Sequence, residues 1–163
     1  MIYSILYVFA LIVANLTVAT FGPWFSVFNS FLLIGFDLTL RDKLHDQWNG
    51  NPTKIGSLIF VSGVASYVLN PASGMIAIAS VCAFCSSMVV DSLVYQKLKD
   101  RSWAKRSNGS NVAGALVDSV VFPTIAFGGL LPEIVAMQFA AKVFGGFFWA
   151  FVINFLLKKG KIK

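Results

Sequence analysis

The chain has 163 residues, of which 57% are hydrophobic and 12% charged, and 13 Lys and Arg against 7 Asp and Glu give it a net charge of +6. Its mean hydropathy is +0.76. A soluble domain carries about 25% charged residues, so this composition excludes an ordinary water-soluble fold and points to an all-α integral membrane protein. The positive charge does not call for nucleic acid, because anionic lipid headgroups attract basic loops equally well.

Cutting the sequence at its polar breaks gives six apolar spans, 2–21, 24–41, 54–70, 72–95, 111–131 and 133–157. Each is close to the ~20 residues that cross a bilayer as a helix, and none alternates as membrane strands do. The expectation is one domain over 1–163, a compact bundle of six transmembrane helices around a central polar site. The longest loop, QKLKDRSWAKRSNGS, is too short to fold a core of its own.

The first span has no basic run ahead of it and carries Asn15 inside, so it reads as a retained helix rather than a cleaved signal. Along the second, Ser26, Ser30, Leu33 and Asp37 share a helical face, with Arg41 one turn further on. The loop RDKLHDQWNG then holds His45, the only histidine. It has neither a nucleophile nor an oxyanion hole beside it and reads as a solvated loop residue. The fourth span carries Cys82 and Cys85, whose C-x-x-C spacing lacks the second ligand pair of a zinc site and suits packing. Further along it, Ser87, Asp91 and Tyr95 line up.

The fifth span presents Asn111, Gly114, Asp118 and Phe122 on one face, and Pro123 with Gly128 and Gly129 is expected to let it kink. The sixth opens with Pro132 and Glu133, ordinary helix-start residues, and continues with a stripe of Gln138, Lys142, Gly145 and Trp149. The sequons at Asn15 and Asn108 fall in a span and in a basic loop, where glycosylation is not expected.

An ionisable side chain at a helix centre costs about 2.5–3.5 kcal/mol on insertion scales. Asp37, Asp91, Asp118 and Lys142 together would cost on the order of 10 kcal/mol facing lipid, comparable to the net stability of a whole protein. They must point inward. Asp118 and Lys142 are deep enough to pair, whereas Asp37 and Asp91 are shallower, within reach of Arg41 or the basic loops. Arg41, Lys43, Lys54, the run from Lys97 to Arg106 and the tail lysines all fall on one side, and the opposite loops hold no Lys or Arg. The positive-inside bias puts both termini and both basic loops in the cytoplasm of a cytoplasmic (inner) membrane protein.

The stretches FDLTLRDKL, IAIASVCAFCSSMVVDSLVYQKLKDRSW, RSNGSNVAGALVDSVVFPTIAF and AAKVFGGFFWAFVINFLLKK resemble the queuosine-precursor transporter family. That family is a vitamin-uptake-like group of bacterial six-helix inner-membrane proteins that take up 7-cyano-7-deazaguanine and related bases. The resemblance covers Asn15, the Asp37–Arg41 stretch and nearly everything from 76 to 159. The chain departs from it after Asp37, where the T-E-x-Y-G signature of many members is missing and Asp42 is the nearest acid. Its short loops are similar to those of compact, phage-carried members.

The resemblance implies import of a deazapurine, with no cofactor or metal, no nucleic-acid partner and a homodimer as a compatible assembly. A deazaguanine offers a ring N–H and an exocyclic amine side by side, two donors that one carboxylate accepts bidentately. Asp118 is the expected acceptor. Asn15, Asn111 and Lys142 are candidates for the remaining polar atoms, with Asp37 and Asp91 as further contacts. Phe122 and Trp149 are candidate stacking plates, and base–aromatic stacking is worth about 1–3 kcal/mol. Arg41 and Asn108 are candidates for a gate at the cytoplasmic constriction, Arg41 together with Asp37. The rival readings are a transporter for another vitamin or nucleobase, a pore, and an intramembrane aspartyl protease, whose G-x-G-D context ALVDS lacks.

Overall fold

The computed structural model describes residues 2–48, 51–101 and 103–159, excepting the side chains of 42, 45, 46, 52, 103–108, 154 and 156–159. Helix α1 (Ile2–Phe21) ends where the Gly22 N–H returns to the Val18 carbonyl at 2.8 Å. Gly22 has φ +80°, a conformation open to glycine without steric cost. Pro23 then opens α2 (Pro23–Asn29), since a proline at the first helical position gives up an N–H that would be unpaired anyway. The rod continues through a π-helical turn, Ser30–Ile34, in which the Gly35 N–H reaches back five residues to the Ser30 carbonyl, and on into α3 (Gly35–Gln47).

Two later rods start on asparagine and proline. The Asn51 side chain accepts from the Thr53 N–H at 3.0 Å to cap α4 (Pro52–Leu69). Asn70 likewise accepts from Ala72 at 3.1 Å ahead of a 3₁₀ turn, Pro71–Ser73, that leads into α5 (Gly74–Lys97). Helices α6 (Trp103–Ala126) and α7 (Pro132–Lys159) complete the chain. No strand occurs among the described residues.

Counting α2, the π turn and α3 as one continuous rod, six rods correspond to the six apolar spans. Five stretches, Ile2–Phe21, Pro23–Arg41, Pro71–Lys97, Gly109–Ala126 and Pro132–Ile153, are long and apolar enough to cross a membrane, and Thr53–Leu69 is shorter. Three expectations need correction. The second rod runs on to Gln47 as helix, and α6 begins at Trp103 rather than at 111. Gly128 and Gly129 lie beyond the end of α6, where Gly128 at φ +73° turns the chain, so they stop that rod instead of bending it. Pro123 does sit inside α6.

The rods close into a ring. α1 packs on α4, α4 on α5, α5 along α6, α6 on α7, α7 on the π turn and α3, and α3 returns to α1. The outer face exposes Phe9, Phe60, Val68, Phe144 and Phe151, while Asn15, Ser66, Gln138 and Lys142 are buried. That is the reverse of a water-soluble bundle and the arrangement a lipid solvent selects, because hydrocarbon leaves polar side chains nothing to bond with.

At one crossing the backbones touch. A Cβ on Gly35 would lie 2.6 Å from the Gly145 carbonyl carbon and 3.0 Å from the Gly146 nitrogen. Small residues at a helix crossing permit this approach, a major source of attraction where no hydrophobic effect operates between helices. The opposing wall, between α1, α3 and α4, is filled by Tyr7, Leu11, Leu40, Leu44, Ile55 and Ile59.

Candidate functional site

The ring encloses a cavity of about 100 Å³ to which every rod contributes. α1 supplies Tyr7 and Asn15; the second rod supplies Ser26, Asn29, Asp37 and Arg41; α4 adds Ile59. From α5 come Ser87 and Asp91, from α6 Asn111, Asp118 and Phe122, and from α7 Gln138 and Lys142. A buried water needs ~10–15 Å³ of such space, so the cavity holds on the order of seven to ten water-sized groups.

Lys142, only 3% exposed, is the best-satisfied group in the wall. Its Nζ lies 2.5 Å from Asp118 Oδ2 and also donates to Ser119 Oγ and Gln138 Oε1, each at 3.1 Å. Three N–H donors thus meet three acceptors. Gln138 passes the order on, donating to Ser26 Oγ at 2.6 Å, and Ser26 donates to the Pro23 carbonyl. The network ties α7 to α6 and to the start of α2. Asp118 keeps 26% of its side chain exposed, so its carboxylate faces open space rather than being sealed behind the lysine.

Asn15 is engaged by the protein on both sides. Its amide donates to Ser66 Oγ at 3.2 Å, and its carbonyl accepts from Ser80 Oγ at 2.8 Å, joining α1 to α4 and α5. Asn29 ties α2 to α1 through the Ala14 carbonyl at 3.1 Å and Thr17 Oγ1 at 2.8 Å.

The two other carboxylates are under-satisfied. Asp37, 6% exposed, lies beside Tyr7 and close enough to Arg41 and Asp118 to feel both charges, yet its Oδ1 is buried without a hydrogen-bond partner. Asp91 Oδ1 is buried and unpartnered as well. Gly114 lets α6 press close to Asp91: a Cβ there would lie 3.4 Å from the Ser87 carbonyl oxygen and 3.5 Å from Asp91 Cβ. Among the described residues no group of three or more His, Cys, Asp or Glu gathers as a metal would require.

Of the residues singled out from sequence, Asn15, Asp37, Arg41, Asp91, Asn111, Asp118, Phe122 and Lys142 meet at this one cavity. Asn108 lies outside the described side chains. Trp149 does not line the cavity. Its ring packs on Phe36 and Phe148 at centroid distances of 4.9 and 5.5 Å, because the Gly35–Gly145 contact turns that part of α7 toward the second rod. Arg41 also departs from expectation: among the described residues it closes no ion pair with Asp37 or Asp91, and the one such pair is Lys142–Asp118.

Sequence reasoning missed Tyr7, Asn29 and Ser119 as parts of the site and left Ser26 and Gln138 as stripe members without partners. Asn29 carried a usable signal, an amide in an apolar segment one residue before Ser30. Tyr7 carried none, since an aromatic near a span end reads as an interface anchor.

No curated protein and no solved structure matches the chain. The model of the "Putative vitamin uptake transporter" family matches residues 2–157. On the strength of that match over nearly its whole length, this multi-pass helical chain belongs to the vitamin uptake transporter family.

Proposed function

We propose that the protein imports a queuosine precursor, 7-cyano-7-deazaguanine or a related deazapurine, through the central cavity. The observation that carries this reading is the Asp118 carboxylate, held by Lys142 and still open to the cavity. An oriented carboxylate accepts the adjacent N–H donors of a guanine-like edge. Asn111 and the unused valences of Asn15 meet the remaining polar atoms, Phe122 offers a ring face, and Asp37 with Arg41 forms the constriction at one end. A small site lined by a few convergent polar groups and an aromatic is the usual form of such a pocket.

In this reading the chain sits in the cytoplasmic (inner) membrane with six spans. The shorter α4 has 18 residues; at 1.5 Å per residue it is about 27 Å long, within the range that spans a bilayer. The basic loops and both termini face the cytoplasm by the positive-inside bias, and a homodimer is compatible with the exposed apolar surface. The protein works without a cofactor and as a carrier rather than an enzyme.

The test is uptake of labelled precursor by cells lacking their own transporter. Expression of this chain restores uptake, and Asp118→Asn and Lys142→Ala each abolish it when uptake is normalised to the amount of protein in the membrane. Retained uptake in both variants would falsify the assignment. Restored uptake of a vitamin or nucleobase, with none of any deazapurine, would replace the substrate and keep the transporter.

A further inference from the structure

Resting on the transport reading of the cavity, we propose that Asp37 is the proton site of the transport cycle. It is a neutral carboxylic acid in the cavity wall that loads one proton on the outer side and releases it to the cytoplasm with each solute, so that the proton gradient drives import. Asp37 is 6% exposed, and its Oδ1 is buried without a hydrogen-bond partner. Asp118 differs in being partly exposed and held by Lys142, and Asp91 in being less deeply buried. A carboxylate shut away from water loses the hydration of its charge, and only a contacting cation or several donors make that good.

The surroundings of Asp37 supply neither. The titratable and charged groups that act on it are Tyr7 from α1, Arg41 from its own rod and Asp118 from α6. Asp118 is committed to Lys142 of α7, and among the described residues Arg41 closes no ion pair with Asp37. Asp91 of α5 lines the same cavity, to which α4 lends uncharged Ile59. The charges of the chamber balance without Asp37, since Asp91 and Asp118 stand against Arg41 and Lys142. The carboxyl is nevertheless within reach of a proton, because it lines the cavity on the rod that also presents Ser26, Asn29 and Ser30. Loading forms an O–H bond with a proton taken from water. Release breaks that bond, returns the proton to water and leaves a carboxylate one helical turn from Arg41, whose charge steadies the empty carrier on its way back. Ionisable residues inside membrane bundles commonly serve as such relays.

The experiment uses the full chain in liposomes, with the membrane potential clamped, labelled 7-cyano-7-deazaguanine outside and a pH-sensitive dye inside. With the outside about one pH unit more acidic, wild type is expected to accumulate solute up to about tenfold over equilibrium at one proton per solute. The lumen acidifies only when solute is present, and a protonophore collapses the accumulation. In Asp37→Asn the accumulation ratio falls to one at whatever rate solute still moves, and in Asp37→Glu it stays above one. Infrared difference spectra of the purified protein give a readout free of transport: the C=O band of a protonated carboxyl is expected in wild type at neutral pH and is lost in Asp37→Asn. A ratio of one in wild type, a ratio undiminished in Asp37→Asn, or no such band in wild type overturns the inference. If Asp37→Asn does not fold, the wild-type ratio and the shift of the band in Asp37→Glu decide. Solute exchange that ignores the pH gradient sinks the inference alone, whereas no exchange under any condition contradicts the proposed function, with the infrared band still reporting on Asp37.

Discussion

Lys142 on α7 places its ammonium 2.5 Å from the Asp118 carboxylate on α6, and these two residues stand 24 positions apart on rods that meet along one wall of the cavity. The pair stabilises the wall and sets the orientation of the carboxylate that the proposed solute contacts. Removing one member leaves the other charge uncompensated. Lys142→Ala is expected to destabilise the purified protein by about 3 kcal/mol, the low end for a buried pair because Asp118 is partly exposed. Replacing both members with apolar residues recovers much of that loss and restores no uptake. Thermal unfolding of the single and double variants checks both statements.

Asn15 predicts a milder result. Its bonds to Ser66 and Ser80 hold α1 to its neighbours, but Ser66 also bonds the Ser62 carbonyl at 2.7 Å and stays satisfied without it. Interhelical hydrogen bonds in membranes average about 0.6 kcal/mol and reach about 1.7. Asn15→Ala is therefore expected to cost about 1 kcal/mol, well below Lys142→Ala in the same assay. Equal losses would contradict the ranking.

The glycine crossing gives a steric prediction. Gly35→Ala has no room, with the Gly145 backbone 2.6 Å from the new methyl. Overpacking of this kind costs about 1–3 kcal/mol, and here it also prises α3 from α7 beside the cavity. Loss of thermal stability and of uptake is expected. Gly56→Ala, whose methyl would meet nothing within 4 Å, is the control that keeps both.

Trp149 separates the cavity from the stripe that suggested it. Its indole Nε1 is buried with no partner, and its ring packs on Phe36 and Phe148. Trp149→Phe keeps the ring contacts and removes the orphaned donor, an exchange that is near neutral or stabilising. Uptake at the wild-type level is expected. A selective loss of solute affinity in this variant would return Trp149 to the binding site.

Membrane orientation is testable with impermeant thiol reagents in a background with Cys82 and Cys85 replaced. A cysteine at exposed Lys99 is expected to react only after permeabilisation, and one at exposed Leu130 in intact cells. The reverse pattern would invert the topology.

Much of this was legible in the sequence, because hydrocarbon imposes a simple rule: rods of fixed length, with every charge turned inward. Helical spacing placed Asp37, Asp91, Asp118 and Lys142 on inward faces, and depth paired Asp118 with Lys142. Spacing fixes the face of a residue and not its reach. Arg41 sits one turn from Asp37 and still makes no ion pair with it, and Trp149 continues the Lys142 stripe yet is carried past the cavity where α7 meets Gly35. The π turn at Ser30–Ile34 has no proline to announce it; it appears where the rod presses backbone to backbone on Gly145. Spacing put Ser26 on the polar stripe without a partner and gave Ser119 no part in it, and only the three-dimensional network shows their hydroxyls accepting from Gln138 and Lys142.

The most direct test is binding itself, measured as thermal stabilisation of the purified chain by 7-cyano-7-deazaguanine and its relatives. A ligand at one hundred times its Kd stabilises the folded state by about 2.7 kcal/mol. The account predicts a saturable rise in unfolding temperature with a deazapurine, abolished by Asp118→Asn. No shift with any deazapurine at millimolar concentration, or an undiminished shift in Asp118→Asn, would contradict it.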